Sequence, residues 1–204
     1  MPFLLRVELP DVPGSLGRVA SAIGAGGGDI EAIEIVEHRP DGTAVDDVML
    51  ELAAGVMPDS VVSACNAVEG VRVVWISRYA AGGNLLLDLE VVEELTVHRE
   101  QALDRLAGML PVAFRVDWAA RVRHTADGAV AVSATEAAPT ELPWADLKQA
   151  ERLPPVDDVT LLCGAPLLDD EIVVLGRSGG PEFLDSELAR LGHLAGLAVS
   201  IAGR

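Results

Sequence analysis

A chain of 204 residues, half of them apolar, has the material for one large or two small cores, and an aromatic content of only 3% means those cores are built from Val, Leu, Ile and Ala. The formal net charge of -17 repels a phosphate backbone or an anionic bilayer, so neither nucleic acid nor a membrane is expected as a partner. No apolar run approaches the ~20 residues of a spanning helix, and Arg6 and Glu8 interrupt the N-terminal apolar stretch where a signal peptide would be uncharged, so a cytoplasmic protein is expected.

Phe3–Leu9 reads as a buried strand stopped by Pro10-Asp11-Val12-Pro13-Gly14. Leu16, Val19, Ala20 and Ile23 then recur at one helical face, with Ser15 at the first turn and Gly24–Gly28 ending the helix. Ile30–His38 and Thr43–Leu52 are two strands joined by the turn Arg39-Pro40-Asp41-Gly42. The Asp46-Asp47 pair marks an expected irregularity in the second of them. Pro58 starts another helix, with Val61, Val62, Cys65 and Val68 on one face, and Val71–Ser77 is a closing strand. The order βαββαβ over residues 1–80 predicts a ferredoxin-like α+β domain with both helices on one face of an antiparallel sheet.

Ala80–Asn84 reads as a linker, and residues 84–204 as a second, small α+β domain. Leu85–Leu95 is apolar but dotted with acids and yields no assignment. Val97–Leu110 has helical spacing and is expected to end at Pro111. Val116, Trp118, Ala120 and Val122 alternate with the intervening residues as in a half-buried strand, and Asp127-Gly128 turns the chain into Ala129–Ser133. Thr135–Pro155, with four prolines, is expected to be a long loop with one short helix around Trp144–Arg152. Val159–Leu168 and Glu171–Gly176 form strands about Asp169-Asp170. Leu184, Leu188, Leu191, Ala195 and Ala198 then line a terminal helix.

Cys65 and Cys163 lie far apart in apolar runs, which fits buried reduced thiols. Lys148 is the only lysine among the fifteen Lys and Arg residues, a bias expected of a GC-rich bacterial genome. His38, His98, His124 and His193 are isolated and form no metal-ligand spacing; acidic clusters such as Asp169-Asp170-Glu171 read as solvated turns. No nucleophile motif is present, and Gly24–Gly28 follows a helix, the wrong context for a phosphate loop. A non-catalytic protein without metal or cofactor is expected.

The informative segment is Asp11-Val12-Pro13-Gly14-Ser15-Leu16 between the first strand and the first helix. First-turn amides lack intrahelical acceptors and sit at the positive end of the helix dipole, a place matched to a carboxylate. Gly14 admits close approach to the backbone and Pro13 stiffens the loop; Asp11 either caps the helix or faces a ligand ammonium. The alternative is that these residues only make the turn.

Here the chain resembles the ACT family, whose first turn reads D-x-P-G-x-L. The resemblance continues through Gly24–Ile30 and covers the βαββαβ unit. It is also similar to the regulatory domain preceding the catalytic part of some bacterial malic enzymes, and no catalytic part of that kind is expected to follow. The resemblance implies an amino acid or related molecule bound between paired domains. The expected site is Asp11, Val12, Pro13, Gly14, Ser15 and Leu16 with Asp29 and Ile30 at the start of the second strand. Many amino-acid-binding members carry Asn where this chain has Asp29. Asp29→Asn is therefore expected to tighten amino-acid binding, measured by calorimetry; unchanged affinity would refute that role. Residues from about 160 to 202, with Leu167–Gly176 and Pro181-Glu182-Phe183, resemble the end of a GAF domain. This half is shorter than the usual member, so a reduced pocket and a terminal helix packed on its copy in a partner subunit are expected. The sequence thus predicts a homodimeric amino-acid sensor that regulates a protein partner. Its alternative is an interaction module that has lost its ligand.

Overall fold

The computed structural model describes residues 2–78 and 84–203. The chain divides into two compact units, Met1–Ala81 and Gly82–Arg204. The linker expected at residues 80–84 lies outside the described residues except for Asn84.

The first unit runs β1 (Pro2–Pro10), α1 (Ser15–Ala25), β2 (Gly28–His38), β3 (Thr43–Leu52), α2 (Pro58–Asn66) and β4 (Arg72–Arg78). Its antiparallel sheet has the order β2-β3-β1-β4, leaving β2 and β4 at the edges. Alternation decides what each face carries. Leu5, Val7 and Leu9 of β1 and Ala44, Val48 and Leu50 of β3 pack with Val19, Ile23, Val61 and Cys65 from the two helices. The opposite face carries a polar row in register across all four strands: Glu34, Asp47, Arg6 and Trp75. The irregularity expected at Asp46-Asp47 falls on the strand opposite, where the β2 shift at Ile35/Glu37 lies across from Asp46 and Val45. β3 passes through both aspartates in unbroken register with β1, and the shifts fall on β2, at Ile30/Ala32 and Ile35/Glu37. Arg6 takes up the Asp47 charge on the face away from the helices.

The second unit runs α3 (Asn84–Val97), a 3-10 turn at Arg99–Gln101, α4 (Ala102–Phe114), β5 (Trp118–Thr125), β6 (Gly128–Ala134), β7 (Glu151–Leu153), β8 (Thr160–Leu168), β9 (Glu171–Ser178) and α5 (Asp185–Ala202). Its five strands form an antiparallel sheet in the order β6-β5-β9-β8-β7. The molecule is thus α+β, with two antiparallel sheets and five α-helices among the described residues. No helix is long and apolar enough to cross a membrane among the described residues.

Three expectations for this half are corrected and one unassigned stretch is resolved. The unassigned stretch at Leu85–Leu95 is helix α3, whose Val91 and Leu95 are buried. Pro111 does not end α4; the helix continues to Phe114, because burial of Ala113 and Phe114 outweighs the one amide that proline lacks, and Arg115 closes it in the left-handed conformation. β5 is covered on both faces: Ala119 packs with α4 and α5, while Trp118, Ala120 and Val122 pack with Leu147 and Leu153. No helix forms at Trp144–Arg152. That stretch instead lays Trp144, Ala145 and Leu147 on the sheet and adds the short strand β7, where Glu151–Leu153 pair with β8. Cys65 and Cys163 are free and buried.

Candidate functional site

Where β1 leaves the sheet, the chain crosses to α1 beside the β2–β3 turn. The Asp11 amide donates to the Gly42 carbonyl at 2.8 Å, fixing the loop against that turn. The loop and first helical turn enclose an open cavity of ≈ 330 Å³ lined by all six of Asp11–Leu16, together with Ile35, Ala44 and Asp46. Its size suits a small metabolite.

The helix end is available. No side chain caps α1, and its N-cap is Gly14 at φ 91. The Ser15 and Arg18 amides donate to the Val12 and Gly14 carbonyls, which leaves those of Leu16 and Gly17 as the first-turn donors without a helical acceptor. A Cβ built on Gly14 would meet no atom within 4 Å, so the backbone there is open to approach while its φ favours glycine. Ser15 is buried, and its hydroxyl accepts from Arg18 Nη2 at 3.1 Å.

Asp11 does not cap the helix. Its Oδ2 lies 2.7 Å from Nδ1 of His38, the last residue of β2, and this contact ties the loop to the edge strand. Asp29 and Ile30 do not line the cavity. They sit at the far end of β2, in register with Glu51 and Leu50, and the five steps along the strand from Ile30 to Ile35 span roughly 17 Å.

Three members of the site escape sequence reasoning. His38 looks isolated because its partner is 27 residues away. Ile35 and Asp46 face each other across the β2–β3 ladder, a register that spacing alone does not give. A signal for Asp46 does exist. The series Ala44, Asp46, Val48, Leu50 places one acid among the residues that face the helices. Asp46 is only 2% exposed, its Oδ1 accepts no hydrogen bond from any described residue, and burial pushes its carboxyl up from the ordinary range.

The second unit offers a wider groove of ≈ 870 Å³ between β7 and α5, where Lys148, Arg152, Asp185 and His193 mix both signs of charge. Arg152 and Asp185 are already paired at 2.9 Å. Glu171, read from sequence as part of a solvated turn, is fully buried; its carboxylate takes Arg121 Nε at 2.6 Å and Arg123 Nε at 2.8 Å. The alternation of β5 sends both arginines to that side. His124 stacks on Trp144 with ring centroids 4.9 Å apart, and His98 lies 3.5 Å from Glu94. Among the described residues no group of three or more His, Cys, Asp or Glu is arranged to hold a metal.

No family model matches the chain. It is 39% identical over 74 residues to NAD-dependent malic enzyme 1 of Bacillus subtilis, a stretch that makes up 36% of this chain and only 17% of that enzyme. Similar solved structures include the GAF domain of a phosphoenolpyruvate-protein phosphotransferase from Acinetobacter (11% identity, 61% of this chain and 95% of that one, TM-score 0.46). Others are free methionine-R-sulfoxide reductase from Neisseria meningitidis (14%, 62% and 94%, 0.47) and the GAF domain of the Coxiella burnetii phosphotransferase (18%, 59% and 96%, 0.44). Likenesses of this strength assign neither a ligand nor an activity.

Proposed function

We propose that the chain is a non-catalytic regulatory protein of the cytoplasm, and that its N-terminal unit is an ACT-type sensor of a small molecule, an amino acid in the first instance. The observation that carries this reading is the cavity at the uncapped start of α1, lined by Asp11 through Leu16. Two first-turn amides and the helix dipole favour a carboxylate there, and Gly14 leaves the approach clear.

The same reading makes the protein a homodimer. β2 is an edge strand, with Ile35 exposed at the mouth of the cavity. Antiparallel pairing of two such edges sets the start of one β2 beside the end of the other. That brings the partner's Asp29 and Ile30 toward the loop that His38 holds, which is how residues at opposite ends of one strand come to serve one site. The C-terminal unit, GAF-like in this reading, passes the ligand's effect to a protein partner. The coupling is bounded by the difference in ligand affinity between the two states.

The test is the melting temperature against a panel of amino acids, nucleotides and simple organic acids. The likeness to a malic enzyme is the reason to include the acids. A ligand at 100 times its Kd stabilises by about 2.7 kcal/mol, a shift of several degrees. The expected result is a shift with one or two amino acids that disappears in the Asp11→Ala, Gly14→Val double variant, together with a dimer by light scattering. A flat panel would favour the interaction-module reading, with the same surface serving a protein partner.

A further inference from the structure

We propose that Asp46 is the specificity-determining residue of this cavity and that it receives an ammonium group, so that the site takes a small zwitterion whose carboxylate lies on the Leu16 and Gly17 amides. This rests on the reading of the cavity as a ligand site, and adds to it the chemistry the ligand must carry.

The placement follows from the strand. Ala44 and Asp46 are alternate residues of β3, so both point to the helix side, and both line the cavity with the first turn of α1. The neighbours of Asp46 across the ladders are Val7 on β1 and Ile35 on β2, which offer it no hydrogen bond. An acid in an apolar row whose Oδ1 is buried without a hydrogen-bond partner among the described residues costs the fold free energy. A bound ammonium supplies the missing donor and the opposite charge. The other charged groups nearby do not fill this role: Asp11 is an acid held by His38, Asp47 turns to the opposite face and binds Arg6, and Arg18 is engaged with the Ser15 hydroxyl. The lining therefore offers two carboxylates and no free cation, and a ligand carrying only a carboxylate meets repulsion at its far end.

The electrostatics give the proposal an independent readout. Burial raises the Asp46 carboxyl, His38 opposes this, and Asp11 and Asp47 reinforce it. A group that titrates higher folded than unfolded holds more protons in the folded state, so stability is lost as pH rises above its ordinary 3.8. Asp46→Asn removes that loss. The unliganded variant is expected to melt no lower than wild type at pH 7, whereas a merely structural aspartate would destabilise when replaced.

The experiment is titration calorimetry and thermal melting of the full chain with the protein amino acids, the matching 2-hydroxy acids and the matching decarboxylated amines. The expected result is that an amino acid binds, its hydroxy-acid analogue binds at least ~10-fold more weakly (~1.4 kcal/mol), and Asp46→Asn loses the amino acid by a similar factor. Binding measured along the acid limb, from the ordinary carboxylate range upward and in two buffers of different ionisation heat, is expected to release protons as Asp46 ionises against the ammonium. Equal binding of the hydroxy acid, or an undiminished Asp46→Asn, overturns the role of Asp46 while leaving the cavity a ligand site. No binding by any member of the panel overturns both.

Discussion

Replacing Arg6 or Asp47 alone by alanine is expected to destabilise the N-terminal unit by about 3–5 kcal/mol. The two side chains are 4% and 1% exposed, and they meet in a two-point contact, Nε to Oδ1 at 2.7 Å and Nη2 to Oδ2 at 2.9 Å. Truncating Arg6 leaves the buried Asp47 carboxylate without its two-point partner, and truncating Asp47 takes that contact away from a buried guanidinium; the charge left behind, more than the lost attraction, sets the cost. Removing both at once, as Arg6→Met with Asp47→Leu, is accordingly expected to recover most of the loss. The measurement is urea unfolding by circular dichroism, with hydrogen exchange of the β1 and β3 amides assigning the loss to this unit. A single-variant cost below about 1 kcal/mol would mean the pair behaves as a solvated surface bridge, overturning the assignment. The pair also bears on function: adjacent Asp46 and Asp47 face opposite sides of one strand, and only Asp47 is neutralised within the fold. β3 thereby carries side by side a carboxylate paired across the sheet and one, lining the cavity, whose Oδ1 has no partner among the described residues.

The first unit was legible from residue types because its signals are local. Pro58 at a helix start, the Arg39–Gly42 turn and the Thr43–Leu52 strand each follow from a few neighbouring residues, and the last matches β3 from end to end. The Asp11–Leu16 segment was also legible, since loop and helix start are contiguous in sequence. What spacing did not give is what lies across the ladder. The Asp11–His38 contact spans 27 residues and the Arg121–Glu171 contact 50, and both depend on register. The acid at 171 reads as solvated for the same reason, since a glutamate beside a turn looks exposed until the strands next to it are known. In β5 the alternation correctly separated two faces, but it cannot count layers, and a small residue such as Ala119 reads as an outward position when it is packed under helices. Pro111 marks the limit of breaker rules. One missing amide near a helix end is tolerated when the next turn carries a buried Phe114.

Trp118→Ala is expected to destabilise the C-terminal unit by about 3–5 kcal/mol. Trp118 is buried on the sheet face away from α4 and α5, where it packs with Val122, Leu147, Leu153, Leu162 and Val174. It lies flat across β9 because Gly176, its partner in the β5–β9 ladder, has no side chain. A Cβ at 176 would stand 2.1 Å from Trp118 Cε2 and 2.3 Å from its Nε1. Gly176→Ala is therefore expected to cost at least about 1–3 kcal/mol in the wild-type background through overpacking. In a Trp118→Ala background the obstructing ring is gone, and alanine should be neutral or better, since glycine in a strand is weaker by roughly 0.5–1 kcal/mol. The double-mutant cycle should thus give a coupling of several kcal/mol between the two positions, read by urea unfolding. An equal cost of Gly176→Ala in both backgrounds would show that the backbone at 176, and not the indole, requires glycine. The large coupling would show that this face of the second sheet is filled by the chain's own tryptophan.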